Sequence, residues 1–126
     1  VQHVLDPLNG YLILAEKLYK HGSKYGEAWN FGTDVRKSKN VEWVIKRLCR
    51  QWGNGVGYVI DGRKHPHEAA CLKLNSAKAQ KMLGWRPKWS LETSLDKVIE
   101  WTRAYQRKDD VRQVSYSQIN EYMECH

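Results

Sequence analysis

Leu8, Tyr11, Leu12, Ala15, Leu18 and Tyr19 recur at helical spacing near the start of the chain. Asp6-Pro7 reads as the start of that helix, with Asp as N-cap and Pro as first helical residue. Gly22 reads as its stop. Ile13 and Leu14 widen the apolar arc, which predicts packing on more than one neighbour. The cleanest amphipathic pattern is Val41, Val44, Ile45, Leu48, Cys49 and Trp52, capped by Asn40 and ended by Gly53. Asn75 is expected to cap a third helix rich in Ala and Lys. Gly84 ends it in the left-handed conformation, and Pro87 forbids an immediate restart. Ser90 caps a fourth helix carrying Leu91, Leu95, Val98, Ile99, Thr102 and Tyr105. Lys108-Asp-Asp110 breaks it, and Ser115 is read as the cap of a last short helix through Ile119, Tyr122 and Met123.

Between the helical stretches lie short runs with strand character. Glu27-Ala-Trp-Asn-Phe-Gly32 and Gly57-Tyr-Val-Ile-Asp-Gly62 are two, and Leu72–Leu74 is a third. Strands separated by helices imply parallel pairing. The predicted fold class is therefore α/β, mostly helical, with two or three short parallel strands. So few strands make a poor sheet alone, and the first helix has little in the chain to cover it. The expectation is a piece of something larger, or a self-associating chain. The start at Val1 rather than Met agrees with a fragment or processed chain.

Composition adds modest constraints. A chain of 126 residues suffices for one domain. The apolar run Tyr11–Ala15 is far too short to span a bilayer, and no signal peptide is visible, so no membrane partner is expected. Cys49, Cys71 and Cys125 are odd in number and lack CxxC spacing, which suits reduced thiols and a cytoplasmic location. Six Trp and seven Tyr are many for this length and are expected mostly in the core. The net charge of +7 favours an anionic ligand or surface. The basic residues are spread rather than striped, so nucleic acid is not the expected partner. A stand-alone basic module binding polyanions is the alternative from a different functional class.

Two features carry candidate chemistry. The first is His65-Pro-His67-Glu68, on a loop with Arg63, Lys64 and Lys73 nearby. It reads as a solvated polar loop, as zinc ligands (His65, His67 and Cys71), or as a site for an anionic ligand. Zinc lacks a second close-spaced ligand pair, and no metal site is assigned. The second is Asn30, inside a predicted strand, where Asn is disfavoured unless it makes a specific hydrogen bond. The glycine run Gly53-Asn-Gly55-Val-Gly57 follows a helix and precedes a strand, the reverse of a phosphate cradle. No Tyr is followed four residues later by Lys, and no catalytic set is assigned within the chain.

Several of these segments resemble one enzyme family. His3-Val-Leu-Asp6-Pro-Leu-Asn-Gly10-Tyr with Ala15-Glu-Lys-Leu-Tyr19, Ala28-Trp-Asn-Phe-Gly32, His65-Pro-His-Glu-Ala69 and Leu83-Gly-Trp-Arg-Pro87 are the matching stretches. Together they are similar to the C-terminal part of the CDP-glucose 4,6-dehydratases, within the extended short-chain dehydrogenase/reductase family. The chain departs from the pattern at Val1, where Trp is usual, at Ala70-Cys71, where His-Tyr is usual, and at Asn75, where Asp is usual. The resemblance implies an NAD-binding Rossmann domain, to which residues 1–32 give a late helix and strand. It implies a C-terminal substrate domain in residues 33–126. It also implies an NAD-dependent lyase whose partners are CDP-glucose and a second subunit in a homodimer. In that reaction NAD takes a hydride from C4, water leaves across C5 and C6, and the hydride returns to C6. Asn30, His65, His67 and Glu68 then match positions near the sugar nucleotide. The NAD loop and acid/base residues fall outside the chain, so the chain alone is expected to be inactive. A related NAD-dependent sugar-nucleotide epimerase or reductase is the nearer alternative.

Overall fold

The computed structural model describes residues 1–33, 39–63 and 74–125. Five α-helices follow in order: α1 (Leu5–His21), α2 (Val41–Trp52), α3 (Ala77–Leu83), α4 (Leu91–Gln106) and α5 (Val111–Glu124). A 3₁₀ turn, Gly22–Tyr25, follows α1. Asn40 caps α2 by accepting from the Trp43 N–H at 2.9 Å, and Ser90 caps α4 by accepting from the Thr93 N–H at 3.0 Å, as predicted. Gly84 ends α3 at φ 69°, a left-handed conformation that a side chain would strain.

Two helix starts differ from the expectation. Asp6 is not the N-cap of α1. It lies in the first turn, fully buried, while the His3 Nδ1 accepts from the Leu5 N–H at 3.3 Å. Helix α5 begins four residues before Ser115, because Asp110 accepts from the Arg112 and Gln113 N–H groups at 3.0 and 3.2 Å. Ser115 is interior to the helix and donates back to the Val111 carbonyl.

No strand is present among the described residues, which corrects the expected strands at Glu27–Gly32 and Gly57–Gly62. Of the third run, only Leu74 is described, and it is not in a strand. The physical reason is visible at the first segment. A strand exists through pairing with a neighbour, and here side chains occupy the backbone groups. Gln2 donates to the Phe31 carbonyl at 2.8 Å, and the Ser76 hydroxyl serves both the N–H and the carbonyl of Gly32.

The core sits between α1, the segment 29–32 and α3. Phe31, Ala79, Leu83 and Trp85 form the buried cluster, with Ile13, Leu14, Tyr25 and Trp29 packed against it. Gly10 is required there, because a Cβ would lie 2.5 Å from the Phe31 ring. A polar tie joins the two ends of the chain to this core. The Trp85 indole N–H donates to the Asp6 carbonyl at 3.0 Å. The Asp6 carboxylate accepts from the Lys88 N–H at 2.9 Å and from the Tyr122 hydroxyl at 2.8 Å. Helix α5 packs on α4, and α2 also packs on α4 through Arg47–Asp96 and through Arg103, which donates to the Gln51 and Trp52 carbonyls.

The aromatic residues are not mostly interior. Phe31, Trp85 and Tyr122 are the buried ones, whereas Tyr11, Tyr19, Tyr58, Trp101, Tyr105 and Tyr116 are exposed. On α1, Leu8, Tyr11, Leu12, Leu18 and Tyr19 form an outward stripe that Val4 extends just before the helix, with Leu12 71% and Tyr19 93% exposed.

Candidate functional site

The segment that carries Asn30 is fixed on both sides. The Trp29 indole N–H donates to the Tyr25 carbonyl at 3.0 Å, and the two rings stack with centroids 6.2 Å apart. The Lys78 ammonium lies 4.4 Å from the centroid of the Trp29 ring, donates to the Ala28 carbonyl at 3.1 Å and pairs with Glu27. On the other side, the Phe31 ring meets Trp85 and Tyr11 edge-to-face, with centroids 5.1 and 5.5 Å apart.

Asn30 itself is exposed, and its side chain makes no hydrogen bond to a described residue. This corrects the expectation that Asn30 satisfies a specific bond within a strand. The outcome follows from the neighbours, since Trp29 and Phe31 both turn into the core and leave the intervening side chain facing outward. An amide on a segment held on both sides, its donors and acceptor unclaimed by any described residue, suits a polar ligand. His65, His67 and Glu68 lie outside the described residues, as do Lys64, Cys71 and Lys73. Of the sequence-derived site residues, Asn30 alone falls within the described residues.

Among the described residues, two hollows lie elsewhere, and Asn30 lines neither. A cleft of about 270 Å³ lies between the start of α1, α4 and α5, walled by Val4, Leu5, Val98, Trp101 and Ile119. Its polar neighbours are engaged, with the Gln118 amide donating to the Lys97 carbonyl and the Trp101 N–H to Ser115. His3, on the same wall, has its pKa lowered by burial, against the opposing pull of Asp6. The second hollow, about 320 Å³, is lined by Trp52, Asn54, Arg103, Gln106 and Arg107. Both of its arginines are committed, Arg103 to the carbonyls ending α2 and Arg107 to Asp109 at 2.9 Å.

The described residues do not fit NAD. The glycine run 53–57 follows the C-terminal, carbonyl end of α2, where the helix dipole disfavours a pyrophosphate. No group of three or more His, Cys, Asp or Glu side chains could hold a metal among the described residues. Cys49 and Cys125 are free thiols. No described helix is long and apolar enough to cross a membrane.

Sequence reasoning missed Ser76 and the buried role of Asp6. The signal for Ser76 was present as two consecutive capping residues, Asn75-Ser76, where one helix start needs only one.

No family model matches the chain. A curated CDP-glucose 4,6-dehydratase of Salmonella typhimurium is 41% identical over 122 residues, which is 97% of this chain. The chain is a relative of CDP-glucose 4,6-dehydratase. It spans about a third of that enzyme's length, 34%. A UDP-glucose 4-epimerase of Halalkalibacterium halodurans is 33% identical over 107 residues, covering 82% of this chain and 30% of the epimerase. UDP-glucose 4-epimerase 1 of rice is 29% identical over 100 residues, 79% of this chain and 27% of the epimerase.

Proposed function

We propose that this chain is the C-terminal, sugar-nucleotide-binding portion of a CDP-glucose 4,6-dehydratase, an NAD-dependent lyase. The observation that carries the reading is the near-complete match to the dehydratase, at higher identity and coverage than the epimerases. Asn30, exposed and bonded to no described residue, supports it by offering a held amide to the sugar nucleotide. His65, His67 and Glu68 are the further proposed contacts.

The outward apolar stripe of α1 supports the proposed division into residues 1–32 and 33–126. In this reading α1 and the following segment belong to the NAD-binding domain, and the remainder of that domain covers the stripe. The two parts meet over the cluster of Phe31 with Ala79, Leu83 and Trp85. NAD is held by the rest of the enzyme, the fragment alone has no turnover, and the full-length protein is a cytoplasmic homodimer.

A second reading, an epimerase or reductase acting on a UDP-sugar, is favoured by the epimerase relatives. Titration of the chain with CDP-glucose, UDP-glucose and dTDP-glucose, followed by amide NMR, separates the two. The dehydratase reading predicts CDP-glucose as the tightest ligand, with shifts centred on Asn30. Preference for UDP-glucose would favour the epimerase reading. Tight RNA binding that weakens steeply with salt, with no response to sugar nucleotides, would point to a polyanion-binding module.

A further inference from the structure

We propose that Ser76 is a positioning residue for Asn30, a role that rests on the sugar-nucleotide reading above. Ser76 stands at the N-cap of α3, and its own carbonyl accepts the first helical bond, from the Gln80 N–H at 3.0 Å. Its hydroxyl does not cap the helix. That task falls to Asn75, whose Oδ1 accepts from the Ala77 N–H at 2.9 Å. The Ser76 hydroxyl instead reaches a residue 44 positions earlier. Its oxygen accepts from the Gly32 N–H at 2.8 Å, and it donates to the Gly32 carbonyl at 3.0 Å.

One buried hydroxyl thus satisfies both backbone groups of a single buried residue, as a neighbouring strand would satisfy them in part. The approach is close because Gly32 lacks a side chain. A Cβ there would lie 2.8 Å from Leu74 Cβ and 3.3 Å from the Ser76 hydroxyl. Gly32 is two residues from Asn30, and the intervening Phe31 is locked into the core by Trp85. The clasp and the Phe31 ring together fix the backbone from which the Asn30 amide projects. A helix cap alone does not account for this arrangement, since an Ala at position 76 would leave Asn75 capping α3.

Ser76→Ala and Ser76→Thr in this chain test the proposal. Hydrogen exchange of the Gly32 amide, compared with the Gln80 amide that opens the α3 hydrogen-bond ladder, reports the clasp. In Ser76→Ala the Gly32 amide should exchange roughly tenfold faster while Gln80 changes little, and Ser76→Thr should restore protection. The shift of Asn30 on adding CDP-glucose should shrink in Ser76→Ala and return in Ser76→Thr, with affinity falling by roughly tenfold in the Ala variant. Should Ser76→Thr prove too bulky to fold, Gly32→Ala attacks the same clasp from the other side and should speed Gly32-region exchange likewise.

Unchanged Gly32 exchange in Ser76→Ala would overturn the clasp. Equal loss of protection at Gly32 and Gln80 would overturn a positioning role and leave a merely structural one. If the clasp behaves as stated but the unmodified chain shows no Asn30 response to CDP-glucose, the sugar-nucleotide reading fails and Ser76's role in binding fails with it.

Discussion

Helices α2 and α3 reverse their apparent importance between sequence and structure. Helix α2 has 12 residues and the cleanest amphipathic pattern, yet none of its residues is buried. Helix α3 has seven residues and little visible periodicity, yet Ala79 and Leu83 are buried and Trp85 follows directly after it. Periodicity reports that a helix has an apolar face. It does not report whether the surface that covers that face lies in the same chain. Helix α3 meets its partners here, in α1 and Phe31. Helix α2 rests on α4 along one edge, through Arg47–Asp96 and the Arg103 bonds to its last carbonyls.

The largest effect should come from the α3 side. Trp85 is fully buried, packs on Phe31 and donates to the Asp6 carbonyl. Trp85→Ala should cost about 3–5 kcal/mol in denaturant unfolding, enough to unfold a marginal domain. A loss below about 1 kcal/mol would mean that this cluster is not the core.

Next in size is the polar tie beneath that core. Tyr122→Phe removes the hydroxyl from Asp6, which keeps its bond from the Lys88 N–H, and should cost about 1–2 kcal/mol. The Tyr122 pKa is raised above its ordinary value of 10.0 by burial and then by the bond to the Asp6 carboxylate. A raised folded pKa means that the folded chain holds the phenolic proton more tightly. The associated stability is complete below pH 10 and is lost as pH rises above it. Unfolding curves at pH 8 to 11, on the order of that window, should show this loss in the parent chain and a flatter profile in Tyr122→Phe. An equal alkaline slope in both would exclude Tyr122 as its source.

The smallest effect is expected on the α2 side. Leu48 is half-buried, so Leu48→Ala should cost about 1 kcal/mol, below the range for a full core leucine. If Leu48→Ala proved as damaging as Trp85→Ala, α2 would be as deeply packed as α3 and the contrast between them would fail.

The helices were legible because capping and stopping are local. Asn40, Ser90, Gly22, Gly53 and Gly84 act within a few residues of themselves, and each bounds its helix as expected. The errors came from long-range contacts. Asp6 has the chemistry of a cap, but its carboxylate is used by Tyr122, 116 residues away. Lys108-Asp-Asp110 reads in sequence only as a helix break, whereas Asp110 also caps α5 and leaves Ser115 inside it. Glu27–Gly32 has strand composition, but the Phe31 carbonyl is taken by the Gln2 side chain and both Gly32 backbone groups by Ser76. Of the candidate site, the sequence marked Asn30 as unusual for its place without showing that it points outward. The likeness to the dehydratases was carried by motifs rather than by packing, so it survived these corrections.

The central claim is that a held segment presents Asn30 to a sugar nucleotide, and the affinity of Asn30→Ala for CDP-glucose tests it most directly. Asn30 is exposed and bonded to no described residue, so its removal should leave thermal stability unchanged. The account predicts CDP-glucose binding weakened by roughly three- to tenfold, the loss of one ligand hydrogen bond. Unchanged affinity at unchanged stability would contradict it.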